Sequence, residues 1–300
     1  MGRISFLVIC LVAASAQLFA QGGTTGMAFL KLGTGARALG MGEAYTAIAA
    51  DPSATYYNPA SLCQASSPQI LLMHKVWIQD VTTEYLAADA RSGAWALGLS
   101  INSTSVDNID IRNAPGPAIG SFDSRDAAIG FSLGYSFTPD VSLGITGKYL
   151  YEKILINEAS GVGIDLGALY QTPWNIRLAA SLANLGSMNE LADDATILPR
   201  IFRVGGAYVT PVESMDGKLT FASDFVSITN ESVSHVNFGL EFEYQKQFAL
   251  RVGYETGYDT KNFSAGVGFA YSILRLDYAY VPFREDFGTT HTFSLIVGFE

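Results

Sequence analysis

The residues able to do chemistry in this 300-residue chain are few and poorly placed for it. There are three histidines, His74, His235 and His291. A hydrolase would need one of them beside a serine and an acid or amide. His235 follows Ser234, but adjacent strand residues point to opposite faces. No Cys/His group has metal-ligand spacing. Glu190, Asp193 and Asp194 read as a solvated acidic loop. Gly33-Thr34-Gly35-Ala36-Arg37-Ala38 fits a loose dinucleotide pattern, but no strand precedes it and no strand-helix-strand unit follows. The sequence predicts no enzyme, no metal and no cofactor. What remains is a set of charges on one strand parity: Lys148, Asp165, Arg177, Arg203, Asp224, Glu241, Glu243, Arg251, Arg275 and Asp277. Both signs are present in similar number. They could form an ionic lattice holding a wall to whatever it encloses, or a polar path or gate.

The elements that position these charges are strands. Phe248, Leu250, Val252 and Tyr254 share one parity, with Arg251, Gly253 and Glu255 on the other. Leu274, Leu276, Tyr278 and Tyr280 stand in the same way against Arg275 and Asp277. The non-apolar parity is rich in glycine, including Gly134, Gly144, Gly167, Gly205, Gly239 and Gly266, where a soluble sandwich would expose lysine, glutamate and threonine. The segments are about nine to eleven residues long, the length a tilted strand needs to cross a bilayer. Residues are 49% hydrophobic and only 15% charged, yet no apolar run long enough for a spanning helix follows the first twenty positions. About fourteen segments can be counted from residue 69 onward, separated by turn signals such as Thr138-Pro139-Asp140 and Pro173-Trp174-Asn175. The gaps 104–125, 186–199 and 283–289 read as extracellular loops. An even count suits a closed barrel with no unpaired edge in lipid. The net charge of −10 argues against nucleic acid.

The fold class is therefore all-β: a transmembrane antiparallel β-barrel of about fourteen strands, expected in the bacterial outer membrane. Three regions divide the chain. Residues 1–20 read as a signal peptide, with Arg3, the apolar run Ile4 to Val12, and cleavage after Ala16 or Ala20. Cys10 falls within it, which leaves Cys63 as a lone packed residue. Residues 21–67 are rich in small residues and lack alternation; residues 68–300 form the barrel. Within the first of these two, Asp51-Pro52 is a helix-start pair, and Asn58-Pro59 ends one turn and begins another. The stretch predicts a string of short helical turns, small enough to pack against a glycine-lined wall.

The segment from Phe29 to Leu62 resembles the start of the PorV/PorQ family of outer-membrane proteins, related in fold to the FadL family of hydrophobic-compound transporters. The Asn58-Pro59-Ala60 core is intact, while Glu43 and Ser61 stand where that family usually has glycine. The resemblance implies fourteen strands and an N-terminal hatch inside the lumen, with Arg37, Asp51, Pro52, Asn58, Pro59 and Ala60 as its notable residues. Phe293, Leu295, Val297 and Phe299 look like the C-terminal strand signal read by barrel-assembly machinery, although Glu300 follows the last aromatic. Expected partners are outer-membrane lipid and that machinery. Two functions follow from the resemblance. One is an interaction protein of a type IX secretion system, meeting secretion components or exported cargo. The other is a transporter of small hydrophobic solutes. The first is ranked slightly ahead.

Overall fold

A computed structural model describes residues 25–78, 81–192 and 194–299. The expected signal peptide, Asp193 and Glu300 lie outside the described residues. Fourteen strands form a closed barrel in which each pairs with its chain neighbours and the last with the first. They are β1 (Gln69–Val76), β2 (Thr82–Ser92), β3 (Trp95–Ile111), β4 (Gly120–Ser136), β5 (Val141–Ile154), β6 (Asn157–Gln171) and β7 (Ile176–Met188). The second half comprises β8 (Ile201–Val212), β9 (Gly217–Ile228), β10 (Val233–Tyr244), β11 (Phe248–Glu255), β12 (Phe263–Tyr271), β13 (Leu274–Pro282) and β14 (Thr289–Gly298).

Alternation decides which way each side chain faces. Along β11, Phe248, Leu250, Val252 and Tyr254 are exposed outward while Ala249, Arg251, Gly253 and Glu255 are buried inward. The register then builds continuous rows. Leu240, Val252 and Ala265 stand side by side on the lipid face, and Glu241, Arg251 and Gly266 on the inner face. No described helix is long and apolar enough to cross a membrane, so the strands do the crossing. Trp95, Tyr135 and Phe137 cluster outside, with ring centroids 4.5 and 4.8 Å apart, as the aromatic girdle of a membrane barrel does. The turns at that end are tight, such as 93–94 and 272–273, which is the periplasmic pattern. The longer connections, 112–119, 189–200, 256–262 and 283–288, mark the extracellular end.

Two sequence expectations need correction here. The gap 104–125 is mostly strand: β3 and β4 run on as a paired hairpin, leaving only 112–119 as loop. Above the bilayer both faces of a hairpin meet water, so pairing continues after apolar alternation has stopped. Pairing slips once there, between Val106 and Ile109. The gap 186–199 carries a two-residue ladder, Glu190–Leu191 against Asp194–Ala195. It turns inward, burying Met188 and Leu198 against Met27, Phe29 and Leu30.

The lumen is filled by the N-terminal segment. The chain enters at the extracellular end, where Gly26 N–H donates to Ile197 O at 3.0 Å. It continues through a 3-10 turn (Ala28–Lys31), α1 (Ala36–Gly40), α2 (Ala54–Tyr57) and a second 3-10 turn (Pro59–Gln64). Two glycines show how closely it fits. A Cβ on Gly144 of β5 would lie 2.6 Å from Pro59 O. Gly42 takes φ 61° and backs onto β11, where an added Cβ would lie 2.9 Å from Tyr254 N. Backbone meets backbone at both places.

Asp51-Pro52 opens a turn as expected: Ala54 N–H and Thr55 N–H donate to Asp51 O and Pro52 O at 2.9 and 3.2 Å, and the Asp51 carboxylate accepts from Ser53 N–H at 3.1 Å. Helix α2 itself begins after Ser53. The other carboxylate oxygen accepts from Tyr45 O–H at 2.8 Å and meets a distant partner on the wall.

Candidate functional site: the hatch lock and the mouth cavity

The inward charges do not form one continuous lattice. The largest group is a chain of ion pairs that starts and ends on the hatch. Arg37 grips Glu241 with two bonds, at 2.8 and 2.7 Å. Glu241 also accepts from Arg251 at 2.6 Å, and Arg251 reaches Asp277 at 2.7 Å. Asp277 accepts from Arg275 at 2.9 Å, and Arg275 returns to hatch Asp51 at 2.8 Å. Three guanidiniums and three carboxylates are thus mutually neutralised, which is the condition for burying charge at tolerable cost. Burial disfavours the Asp51 carboxylate, but Arg275, Arg37 and the bonds from Ser53 and Tyr45 outweigh it and hold its pKa below the ordinary value.

A second anchor is Asp224 of β9. One of its oxygens accepts from Tyr45 N, Thr46 N and Thr46 Oγ1 at 2.9, 2.8 and 2.6 Å. Asn58 gives a third hold: its Oδ1 caps the second 3-10 turn by accepting from Ala60 N at 3.1 Å, and its Nδ2 donates to Ala168 O on β6. Pro59 opens that turn, and Pro52 O accepts from Thr55 Oγ1 at 2.8 Å. The rest of the set lies apart. Lys148 pairs with Asp165 at 2.8 Å, beside the slip in β6–β7 pairing after Ile164. Arg177 bonds Gln171, and Glu243 pairs with Lys218, both near the tight-turn end. Arg203 stacks over Tyr56 and Tyr57, 5.2 and 5.7 Å from the ring centroids. At the closing seam Phe293, Leu295 and Val297 stand opposite His74, Leu72 and Ile70, and Phe299 N donates to Pro68 O at 2.8 Å.

Above the hatch, at the extracellular end, a cavity of about 400 Å³ remains. Ile201, Val226, Ile228, Val281 and Phe283 form its apolar side. Of its polar frame, sequence reasoning named only Glu43 and Glu255, and neither as part of a cavity. Lys31 pairs with Glu231 at 2.8 Å. Lys261 meets Glu255 at 2.7 Å and hatch Glu43 at 3.4 Å. Lys75 donates to Gly33 O at 2.9 Å. Lys75, like Glu255, lies on an inner-face strand position, which alternation could have found; Glu231 and Lys261 sit in loops, where no periodicity exists to read. Glu231 is disfavoured as an anion by burial, but Lys31 and Thr25 outweigh this and lower its pKa. Lys261 is likewise opposed by burial and raised by Glu255, Glu43 and Tyr258. Glu231 and Lys261 are therefore each favoured in their charged form. Larger hollows on the outer wall, lined by residues such as Leu72, Leu276 and Phe293, lie on the lipid-facing side and are not part of this site.

Comparison with known proteins matches this architecture. The CymD monoaromatic hydrocarbon channel is 15% identical, with 89% of this chain and 98% of that one covered and a TM-score of 0.62. The toluene transporter TodX of P. putida is 13% identical, with 89% and 99% covered and a TM-score of 0.66. A FadL homologue of Pseudomonas aeruginosa is 13% identical, with 89% and 98% covered and a TM-score of 0.57. The fold is thus that of FadL-like outer-membrane barrels, which with the apolar outer wall places the chain in the bacterial outer membrane. No curated protein matches the sequence. The model of an uncharacterised protein family, UPF0164, matches residues 8–163.

Proposed function

We propose, for a chain that belongs to the uncharacterised protein family UPF0164, that it passes small hydrophobic compounds across the outer membrane. The observation that carries this reading is the mouth cavity: a space with one apolar side at the extracellular end, floored by a hatch that closes the axis of the barrel. A compact apolar molecule gains by leaving water for such a space, at roughly 25 cal/mol per Å² of apolar surface removed. The balanced ion pairs around it give no net attraction for charge. Since the hatch blocks the straight route, the molecule leaves sideways through the wall. Ala183, Ile201 and Ile228 cluster beside the slip in β6–β7 pairing, where the ladder is already broken. The likeness in fold to TodX and CymD supports this reading over secretion, which rests on the resemblance of residues 29–62.

The test is uptake of radiolabelled toluene by cells with an intact lipopolysaccharide layer. Cells making the barrel should take it up faster than empty-vector cells. Ile228→Trp, which fills part of the cavity, should reduce the gain while leaving the amount of folded barrel unchanged. Equal uptake with and without the protein would overturn the proposal. Exported proteins stranded in the periplasm of a deletion strain, with normal uptake, would favour the secretion role.

A further inference from the structure

Two extracellular loops roof the mouth cavity, 229–232 and 256–262, and each is tied to the hatch by one ion pair. Lys31 of the first 3-10 turn holds Glu231, which also accepts from Thr25. Glu43, just after α1, holds Lys261. The second tie has a backbone signature. Glu43 sits at φ 58°, a left-handed conformation that a residue with a Cβ adopts only at a cost and glycine adopts freely. A glutamate persists there because its carboxylate meets Lys261. Lys261 in turn lies over the Tyr258 ring, 4.4 Å from its centroid, and Tyr258 stacks on His235 of the wall at 3.6 Å. One ammonium group therefore joins hatch, loop and wall, and it separates two carboxylates, Glu43 and Glu255, that would otherwise repel. Gly257, at φ 77°, supplies the hinge: an added Cβ would meet His235 Nδ1 and Ser234 O at 3.0 Å.

We propose that loops 229–232 and 256–262 form a lid over the mouth cavity, latched to the hatch by Lys31–Glu231 and Glu43–Lys261, and that release of these latches admits a molecule. This rests on the cavity being the binding space proposed above, but its test reads access alone and needs no transport. Val281 lines the cavity and is 5% exposed. In the full barrel, Val281→Cys would be reacted with a water-soluble maleimide, the buried native Cys63 serving as the internal unlabelled control. With the lid latched, labelling should be slow. Glu43→Gly relieves the backbone and keeps the fold, yet should speed labelling about tenfold, the size of change that loss of one charged contact makes in a local opening equilibrium. Lys261→Met also removes the contact with Glu255, so it should speed labelling at least as much, and adding Glu43→Gly to it should bring no further increase, because the contact the two residues share is already gone. Exchanging the charges, Lys31→Glu with Glu231→Lys, should keep labelling slow where each single change speeds it. Native-rate labelling in Glu43→Gly, or effects that multiply in the double variant, would overturn the lid.

Discussion

Arg37 touches Glu241 with two nitrogens, and Glu241 is fully buried. Replacing Glu241 by Gln leaves Arg37 and Arg251 facing each other across an uncharged amide. Removing one partner of a buried pair costs about 3–5 kcal/mol. Glu241→Gln should therefore lower the temperature at which the folded band converts to the unfolded one on a heat-modifiability gel, and Arg251→Met should do likewise. The rim pair Lys218–Glu243 is partly exposed, with side chains 41% and 26% accessible, so Glu243→Gln should shift that temperature less, since solvent-screened pairs contribute about 0–1 kcal/mol. Acid sensitivity follows from Glu231, whose pKa in the fold lies below its ordinary value. A depressed carboxyl contributes stability that is complete above the unfolded-state value, about 4.3, and is lost as pH falls through the folded value. The first lid contact should hold from pH 8 to 5 and weaken below about 4. Maleimide labelling at Val281→Cys, taken at each pH relative to a free thiol because only the thiolate reacts, would show it, and Glu231→Gln should abolish the remaining acid-dependent component.

The hatch is an element built of pieces too short to be stable alone: α1 has five residues and α2 four. Isolated helices shorter than about 12–15 residues are marginal in water, so its shape is imposed by the wall. Gly144→Val should show this. The side chain would enter the space of Pro59 and Ala60, so the second 3-10 turn could not seat. The barrel should still insert, with the hatch newly open to protease. Asn58→Ala removes a cap and a wall bond together. It should cost more than the roughly 1 kcal/mol typical of a lost cap, read again as heat-modifiability. A variant barrel whose hatch stays protected in both cases would show that the ionic lock alone seats it.

The whole molecule is a ring of strands whose closure is one seam, β14 with β1. Removing residues 293–300 takes most of β14 and exposes two edges, which lipid cannot satisfy. The truncated chain should collect as periplasmic aggregate, visible as loss of the heat-modifiable form. Removing residues 27–62 leaves the seam intact but empties the lumen. Planar-bilayer recordings should then show large conductance where the intact protein shows little. High conductance from the intact protein would contradict a seated hatch.

Which residues face lipid was readable from the chain because a strand repeats every two residues and a bilayer admits only one kind of face. Phe248-Ala-Leu-Arg-Val-Gly-Tyr-Glu255 encodes its own orientation. The number of barrel strands followed, as did a filled lumen, since a glycine-lined inner face must receive something bulky. Asp51 was readable only as the start of a turn, because its partner Arg275 is 224 positions away and no local pattern records such a pair. The 104–125 hairpin was misread because pairing outlasts alternation once water lies on both sides. The mouth cavity and its lid were decided only by tertiary structure. Lys31, Glu43, Glu231 and Lys261 have no common spacing; they meet because the hatch enters at the extracellular end and the loops close over it.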